Sequence, residues 1–425
     1  MKLLQILGIV AAVALICAVP FVTEATPIAR APNAVSNQVI IDWNVHTQDA
    51  SGAHSPPRRA RTFAMVSIAV HDALNGIENK YARYASSASD PLASPVAAAA
   101  QAAHDVLVAL FPGQQASLDA KLATSLDAVN DQDALARGVA LGETAAADLL
   151  AFRANDGSDV VTPYTSTFLP GRWRPTPPAN APALEPGWGN VTPFGMSSGS
   201  QFRSAAPYEL DSAEYTADWV EVRDYGSASS SLRSVDQTSY AHFWYEPSAV
   251  GWNRLARAAL ALRHRNIWKS ARLFAMMNMA IADGYIASFD SKYYFDNWRP
   301  ITAIREADSD GNSDTIQDPA WTPLRPTPPI PDQTSGHAVA GFAARAALVE
   351  VFGEDVDQPI TMTSTTAVPA GSTRSWDSFT QAAHENAESR IMVGIHLRKA
   401  CDDGETQGRA VGDWVVDNYF GSVDE

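Results

Sequence analysis

The chain is poor in cysteine and in basic residues, and both shortages narrow what it can be. Only two cysteines occur in 425 residues, Cys17 and Cys401, and Cys17 lies in a segment that we expect to be removed. The single cysteine left excludes an intrachain disulfide, so packing alone must stabilise the mature protein. The 31 basic residues face 47 acidic ones, giving a formal charge of −16. This balance argues against nucleic acid or an anionic membrane surface as a partner.

Long apolar runs are also scarce. The one candidate lies at the N-terminus, where Lys2 precedes a largely apolar run over residues 3–22. Residues 1–25 have the pattern of a secretory signal peptide, with cleavage expected after Ala25 or Ala31. A membrane anchor is the alternative, but the uncharged run is at the short end for a span. We therefore predict a secreted or periplasmic protein whose mature chain does not span a membrane.

The alternation of apolar and polar residues that is typical of strands is nearly absent, whereas helical spacing recurs along the chain. With 46% hydrophobic and 18% charged residues, the chain is globular and can bury a large core. The sequence predicts an all-α fold, a bundle of about ten helices with long irregular loops. The predicted helices cover residues 57–77, 95–111, 114–129, 133–153, 212–224, 234–245, 253–265, 268–288, 338–351, 375–393 and 402–419.

Composition divides the mature chain into two regions, which we expect to form one compact unit. Residues 32–204 form an N-terminal helical region that ends in a Pro/Gly/Ser-rich loop over residues 155–204. That loop is too long for a simple connection, so it wraps the protein or acts as a lid. Trp173 and Trp188 are interpreted as its packing anchors. Residues 205–425 form the second helical region, which contains the polar clusters described next.

The first polar cluster lies where a proline-rich approach meets a helix that is apolar on nearly every side. Thr334 or Ser335 is a natural N-cap for that helix, and Gly336 lets the backbone approach a ligand closely. A buried helix start carries unpaired N–H groups and a positive dipole end, which favour an oxyanion. His337 adds an imidazole that can move a proton. Alone, an ordinary capped helix explains this cluster better.

Two further clusters supply cations and a second imidazole. Lys292 and Arg299 are seven positions apart, and Pro300 disfavours helix at Arg299, which predicts that Arg299 lies at a helix exit. Arg390 and His396 are six positions apart, so an unbroken helix would separate them around its axis. Gly394 offers a break that lets both side chains point inward.

Taken together, the clusters contain three cations, a hydroxyl, a helix N-terminus and two histidines. Taken alone, each cation is explained more simply as a solvated charge, and a histidine as a buried structural residue. Combined, they form a complete cage for a tetrahedral or trigonal-bipyramidal oxyanion with an acid–base group beside it. A catalytic site is therefore the better interpretation.

The order K-x6-R-P, then x-S-G-H, then S-R-x3-G-x-H resembles the signature of the vanadium-dependent haloperoxidase and type 2 phosphatidic acid phosphatase superfamily. Within it, the chain is more similar to the soluble haloperoxidase-like branch than to the membrane-spanning lipid phosphatases. The motifs cover residues 292–396, and the resemblance extends upstream through Phe243 and Trp244 to residues 61–75. The family fold is an all-α bundle, as predicted above.

The resemblance implies a role for each motif residue. His396 would be the axial ligand of vanadium or the nucleophile that becomes phosphohistidine, and His337 would be the acid–base partner. The oxygens of vanadate or phosphate would be bound by the remaining motif residues: Lys292, Arg299, Ser335, Gly336 and Arg390.

Two positions depart from the family pattern. Thr334 stands where the family usually has proline, which changes little because threonine can cap a helix. The acidic residue often found four positions after the final histidine is replaced by Ala400. Asp402 or Asp403 is the expected substitute as the group that orients His396.

Three functions remain open from the sequence. The first is an exported vanadate-dependent haloperoxidase that oxidises a halide with hydrogen peroxide. The second is an acid phosphatase that hydrolyses a phosphate monoester in the same cage through a phosphohistidine, without vanadate. The third is a non-catalytic anion-binding protein, which the intact His337 and His396 make the weakest of the three. The sequence leaves open whether the protein is a homo-oligomer.

Overall fold

Helices dominate the structure, a computed structural model that describes residues 35–423. The signal segment predicted at residues 1–25 lies outside the described residues. The helices of the described part are α1 Gln38–Ala50, α2 Pro56–Asn75, α3 Pro95–Leu110, α4 Gln115–Leu126, α5 Gln132–Phe152, α6 Ala213–Gly226, α7 Val235–Phe243, α8 Ser248–Leu262, α9 Ile267–Phe295, α10 Pro300–Arg305, α11 Gly336–Phe352, α12 Phe379–Met392 and α13 Arg398–Asn418. The predicted all-α class is confirmed, although the count of about ten helices was too low.

The main departure is a small antiparallel pair, β1 Asp355–Thr363 and β2 Thr373–Ser378. The helix predicted over residues 375–393 is therefore wrong at its start, because α12 begins only at Phe379. Ile360 and Trp376 are cross-strand partners and both are buried. Alternation of buried apolar and exposed polar residues is confined to residues 360–363 of β1, and this run is too short to be recognised from its sequence.

The centre of the bundle is α9, which was predicted only as far as residue 288. Asn266 caps its N-terminus by accepting a hydrogen bond from the backbone N–H of Lys269, and Asp296 ends it in the left-handed conformation at φ +55°. Almost every residue between is buried, because α2, α11 and α13 pack around it. A helix that is apolar all round belongs in a core. Its final turn carries Lys292 into the candidate site.

Three glycines on one face of α13 let this helix pack tightly against α11. A Cβ at Gly404 would lie 2.9 Å from the Cβ of Ala338 and 3.0 Å from the carbonyl oxygen of Ser335. Gly408 and Gly412 repeat the close approach one and two turns later. The N-terminus of α11 is further fixed because the backbone N–H of Ser335 donates to the Ala400 carbonyl at 2.7 Å. Helix packing thus sets the position of Ser335.

Gly408→Ala is expected to destabilise the protein by about 2 kcal/mol, although alanine is the better helix former. The new Cβ would overlap the Val339 carbonyl oxygen and lie 3.0 Å from the Cβ of Phe342. Chemical denaturation measures the loss. Gly113→Ala is the matched control, since a Cβ there would meet nothing within 4 Å. Equal stabilities for the two variants would contradict the proposed packing.

The long loop before α6 wraps the bundle and is held by buried anchors. Asp283 of α9 is buried and accepts hydrogen bonds from the backbone N–H groups of Phe194 at 2.7 Å, Gly195 at 2.7 Å and Met196 at 3.1 Å. Trp173 and Trp188 are both buried, which confirms that they anchor the loop. Of the two predicted roles, the structure supports wrapping.

No single helix of the described part is long and apolar enough to cross a membrane. Within the described residues, only the segments Pro95–Leu110 and Pro112–Leu126 are long and apolar enough when taken together, and they are bent by 119° relative to each other.

Candidate functional site

The candidate site lies where four segments meet: the end of α9, the start of α10, the segment that leads into α11, and the turn after α12. Lys292 is fully buried, and its Nζ donates to the carbonyl oxygens of Pro331 at 2.8 Å and Asp332 at 3.0 Å. Burial, followed by the positive charge of Arg299, lowers the pKa of Lys292. The end of α9 is thereby tied to the segment that precedes α11.

Arg299, at the start of α10, connects the segment that leads into α11 with the turn after α12. As predicted, it lies outside the helices, extended at φ −88° and ψ 155°, as the N-cap of α10 before Pro300. Its Nε donates to the Ile330 carbonyl at 2.7 Å and its Nη1 to the Ile395 carbonyl at 2.6 Å. Its Nη2 is buried and has no hydrogen-bond partner within residues 35–423.

Arg390, in the last turn of α12, shows the same incomplete pairing. Its Nη1 donates to the Trp244 carbonyl at 3.0 Å, and its guanidinium carbon lies 5.6 Å from the centre of the Tyr245 ring. Its Nε is buried without a partner among the described residues. Burial lowers the pKa of both Arg299 and Arg390 to about 10, so both carry a charge at neutral pH.

Gly394 brings His396 back toward these cations. It lies at φ +83°, and the backbone N–H groups of Gly394 and Ile395 bond to the carbonyls of Ile391 at 2.9 Å and Arg390 at 3.2 Å. This pattern is a Schellman motif, which ends a helix on a left-handed glycine and reverses the chain. A Cβ at Gly394 would also clash with the Gly226 carbonyl oxygen. The predicted break is therefore confirmed for two physical reasons.

His396 is almost fully buried and is held from both sides of its ring. Its Nδ1 lies 2.7 Å from Oδ1 of Asp332, and its Nε2 lies 3.0 Å from Nη1 of Arg299. Burial lowers the pKa of His396, and the charges of Arg299, Lys292 and Arg390 lower it further, in that order. All three predicted cations therefore act on this one imidazole, which is neutral at neutral pH.

The partner of His396 corrects one expectation from the sequence. Asp402 faces Arg398 at 3.9 Å, and Asp403 pairs with Lys399 at 2.7 Å. Neither substitutes for the acidic residue that Ala400 replaces. Asp332 contacts His396 instead; it lies in the approach to α11 that the sequence analysis singled out, but this residue was not identified as a site residue. The only signal in the sequence was a carboxylate three positions before Ser335.

Ser335 is the N-cap of α11, as predicted, and its Oγ accepts the backbone N–H of Ala338 at 3.4 Å. It is fully buried. A Cβ at Gly336 would meet Tyr285 at 3.5 Å, an ordinary contact. Packing within the protein therefore does not require glycine at this position, which leaves close approach of a ligand as its expected use.

His337 is half-buried, and its Nε2 lies 2.9 Å from the backbone carbonyl of Glu246. A carbonyl oxygen only accepts, so Nε2 carries the proton and Nδ1 keeps its lone pair. Burial, followed by the charge of Arg390, lowers the pKa of His337. Glu246 was missed by sequence reasoning. Its buried carboxylate is fixed by Arg254 Nη1 at 2.6 Å and Thr365 Oγ1 at 2.7 Å.

The residues present fit a bound oxyanion. A buried guanidinium N–H without a partner is costly unless a ligand accepts from it, and Arg299 and Arg390 each offer one. Vanadate and phosphate both carry several oxygens that accept such hydrogen bonds. The structure thus places five of the predicted residues close enough to act on one another's charge: Lys292, Arg299, His337, Arg390 and His396. Ser335 and Gly336 directly precede His337 at the start of α11.

Comparison with known proteins finds similarity to vanadium haloperoxidases. A family model described as the VCPO second helical-bundle domain matches residues 272–425, the part that contains every motif. The vanadium chloroperoxidase of Curvularia inaequalis is 26% identical over 279 residues, which is 50% of this chain and 45% of that protein. The chain therefore spans less than half the length of this relative.

Solved structures agree with this match. A bacterial vanadium-dependent iodoperoxidase is 28% identical, with a TM-score of 0.77 over 93% of this chain and 100% of its own. A bacterial vanadium-dependent chloroperoxidase in its holo form is 18% identical, with a TM-score of 0.69 over 91% and 94% of the two chains; at this identity it supports the fold alone. The matching family model, the curated relative and these solved structures are all vanadium haloperoxidases, which confirms the resemblance identified from the motifs.

Proposed function

We propose that the protein is a vanadate-dependent haloperoxidase that oxidises a halide with hydrogen peroxide. The observation that carries the proposal is a pair of buried donors, Arg299 Nη2 and Arg390 Nε, which have no hydrogen-bond partner in the described part of the chain. Lys292 is the third cation of the cage. Three cations around one imidazole can compensate the charge of an oxyanion that water would otherwise solvate. The family relationship supports vanadate as that oxyanion.

The residues of the cage have distinct tasks in this proposal. Lys292, Arg299 and Arg390 bind the oxygens of the anion, while the Ser335 hydroxyl and the Gly336 N–H bind it from the start of α11. His396 presents the lone pair of Nε2. Bound vanadate would supply a Lewis acid that activates the peroxide oxygen for attack by the halide.

His337 acts as a base in the haloperoxidase proposal. Its Nε2–H is fixed on the Glu246 carbonyl at 2.9 Å, so Nδ1 is the atom that accepts a proton from hydrogen peroxide. Because burial and Arg390 lower its pKa, His337 is neutral and ready to accept. In the phosphatase alternative, His337 would instead be protonated and donate to the leaving alcohol.

Reconstitution tests this function. The purified protein is stripped of bound metal, loaded with one equivalent of orthovanadate, and assayed with hydrogen peroxide and chloride, bromide or iodide. Halogenation of an acceptor that requires both vanadate and a halide is the expected result. No turnover with any halide after confirmed vanadate loading would overturn the proposal.

A hydrolysis assay on the same purified protein tests the phosphatase alternative. Hydrolysis of an aryl phosphate by the metal-free protein, inhibited by low vanadate, would replace the haloperoxidase proposal. Absence of hydrolysis together with tight vanadate retention would count against the phosphatase.

We also propose that the enzyme is exported through residues 1–25. Determination of the N-terminus of the protein secreted by its native host tests this. A secreted protein that starts after Ala25 or Ala31 is expected, and a cell-retained chain that still carries residues 1–25 would contradict it.

A further inference from the structure

The carboxylate of Asp332 is fully buried and fixed at every polar atom. Its Oδ1 lies 2.7 Å from His396 Nδ1, and its Oδ2 accepts the backbone N–H of Leu397 at 3.3 Å. Its own backbone N–H donates to the Asn297 carbonyl at 2.8 Å, and its carbonyl accepts from Lys292 at 3.0 Å. The residue is therefore held rigidly against the histidine, with no rotamer freedom to lose when a ligand binds.

The carboxylate of Asp332 selects one tautomer of His396. Arg299 Nη1 lies 3.0 Å from Nε2 and 3.3 Å from Nδ1, so this cation approaches both ring nitrogens and does not distinguish them. Burial raises the pKa of Asp332, whereas the charges of Arg299 and Lys292 lower it. In its ionised form the carboxylate can only accept, and it lies 2.7 Å from Nδ1. The imidazole therefore carries its proton on Nδ1 and its lone pair on Nε2. That lone pair is the group required to bond to a metal or to a phosphorus centre.

The position that the superfamily often uses for this carboxylate cannot supply one here. Ala400 is buried, and its carbonyl accepts the backbone N–H of Ser335, so this part of α13 serves the helix cap instead. Asp402 and Asp403 face Arg398 and Lys399. A carboxylate from a different segment therefore makes the contact with Nδ1 that a residue at position 400 does not make.

We propose that Asp332 is the positioning residue of His396, and that it has taken over, from the segment before α11, the role of the missing acidic residue at position 400. Its hydrogen bond fixes the ring orientation and the Nδ1–H tautomer, and its charge increases the basicity of Nε2 toward the oxyanion. The inference deepens the proposed function, because it concerns the same cage. It rests on the proposed function for its effect on anion binding, and on the hydrogen bonds of Asp332 for the tautomer.

The test uses Asp332→Ala, the isosteric Asp332→Asn, and the transplant Asp332→Ala/Ala400→Asp. The ¹⁵N chemical shifts of His396 in the vanadate-free protein, assigned with His396→Gln, report the tautomer directly. Asp332→Ala is expected to give a mixture of tautomers and to weaken orthovanadate binding about 10- to 100-fold. The transplant is expected to recover the Nδ1–H signature and part of the affinity. Calorimetry with orthovanadate, and separately with phosphate, measures the binding.

Asp283→Asn is the matched control, since Asp283 is also a fully buried carboxylate but binds the backbone of the long loop. It is expected to lower stability while leaving the His396 shifts and vanadate affinity unchanged. If Asp332→Ala does not fold, Asp332→Asn carries the test: it keeps the shape, removes the charge, and should still weaken vanadate binding.

Two results would overturn the inference. One is an unchanged tautomer and an affinity within about twofold of wild type in the folded Asp332 variants. The other is an equal loss of affinity in Asp283→Asn, which would indicate a structural effect only. Failure of the proposed function is distinguishable, because the tautomer is measured without vanadate and without turnover.

Discussion

Halide oxidation by the vanadate-loaded protein is expected to fall at least about a thousandfold when His396 is replaced by alanine. In the proposed function the Nε2 lone pair of His396 bonds directly to the oxyanion, whereas the cations contribute only hydrogen bonds and charge. Alanine removes this bond, so vanadate is expected to be lost on gel filtration. Metal analysis of the eluted protein, together with the steady-state rate, measures both effects.

The fold is expected to survive this substitution. Asp332 keeps a partner without the imidazole, because Oδ1 lies 3.5 Å from Nη1 of Arg299. His384→Ala provides the control: His384 lies on the same helix as Arg390, with its ring half-exposed beside Glu405. It should bind vanadate and turn over like the wild type. Stoichiometric vanadate and near-normal turnover in a folded His396→Ala protein would refute the assigned role.

The second large effect is expected from Arg390→Leu. This change removes the guanidinium whose buried Nε has no partner among residues 35–423, and with it one of the three positive charges in the cage. Affinity for orthovanadate is expected to fall about 100- to 1000-fold, the usual cost of removing one preorganised donor to an oxyanion. Calorimetric titration of the metal-free protein measures the loss.

The same variant is expected to shift the pH dependence. Arg390 lowers the pKa of His337, so its removal raises that pKa. A base works only when deprotonated, and its activity is lost as the pH falls through its pKa. The acidic limb of the rate profile should therefore move to higher pH in Arg390→Leu. Arg137→Gln, which breaks only a surface pair with Asp90 at 3.0 Å, should move neither affinity nor profile. An unshifted limb would show that Arg390 does not act on the base.

Short-range chemistry explains why much of the site could be predicted. Pro300 forces Arg299 into an extended conformation, a serine before an apolar run caps a helix, and a glycine after Arg390 ends another in a Schellman motif. Each rule involves residues within a few positions of one another. The all-α class follows in the same way, because helical spacing repeats along the chain.

The missed features depend on contacts between distant segments. Asp332 lies beside His396 only after the α9, α10 and α12 ends have met, and no local pattern records that contact. The Glu246 carbonyl, which fixes His337, is a backbone atom and leaves no mark in the sequence. The hairpin of β1 and β2 was missed because only three of its side chains are buried, Ile360, Met362 and Trp376.

The most direct measurement is a crystal structure of the protein soaked with orthovanadate. The proposed cage predicts one anion bonded to Nε2 of His396, with Arg299 Nη2 and Arg390 Nε donating to its oxygens and Asp332 still on Nδ1. An anion bound elsewhere, or a cage that stays closed by contacts among its own side chains at saturating vanadate, would contradict it.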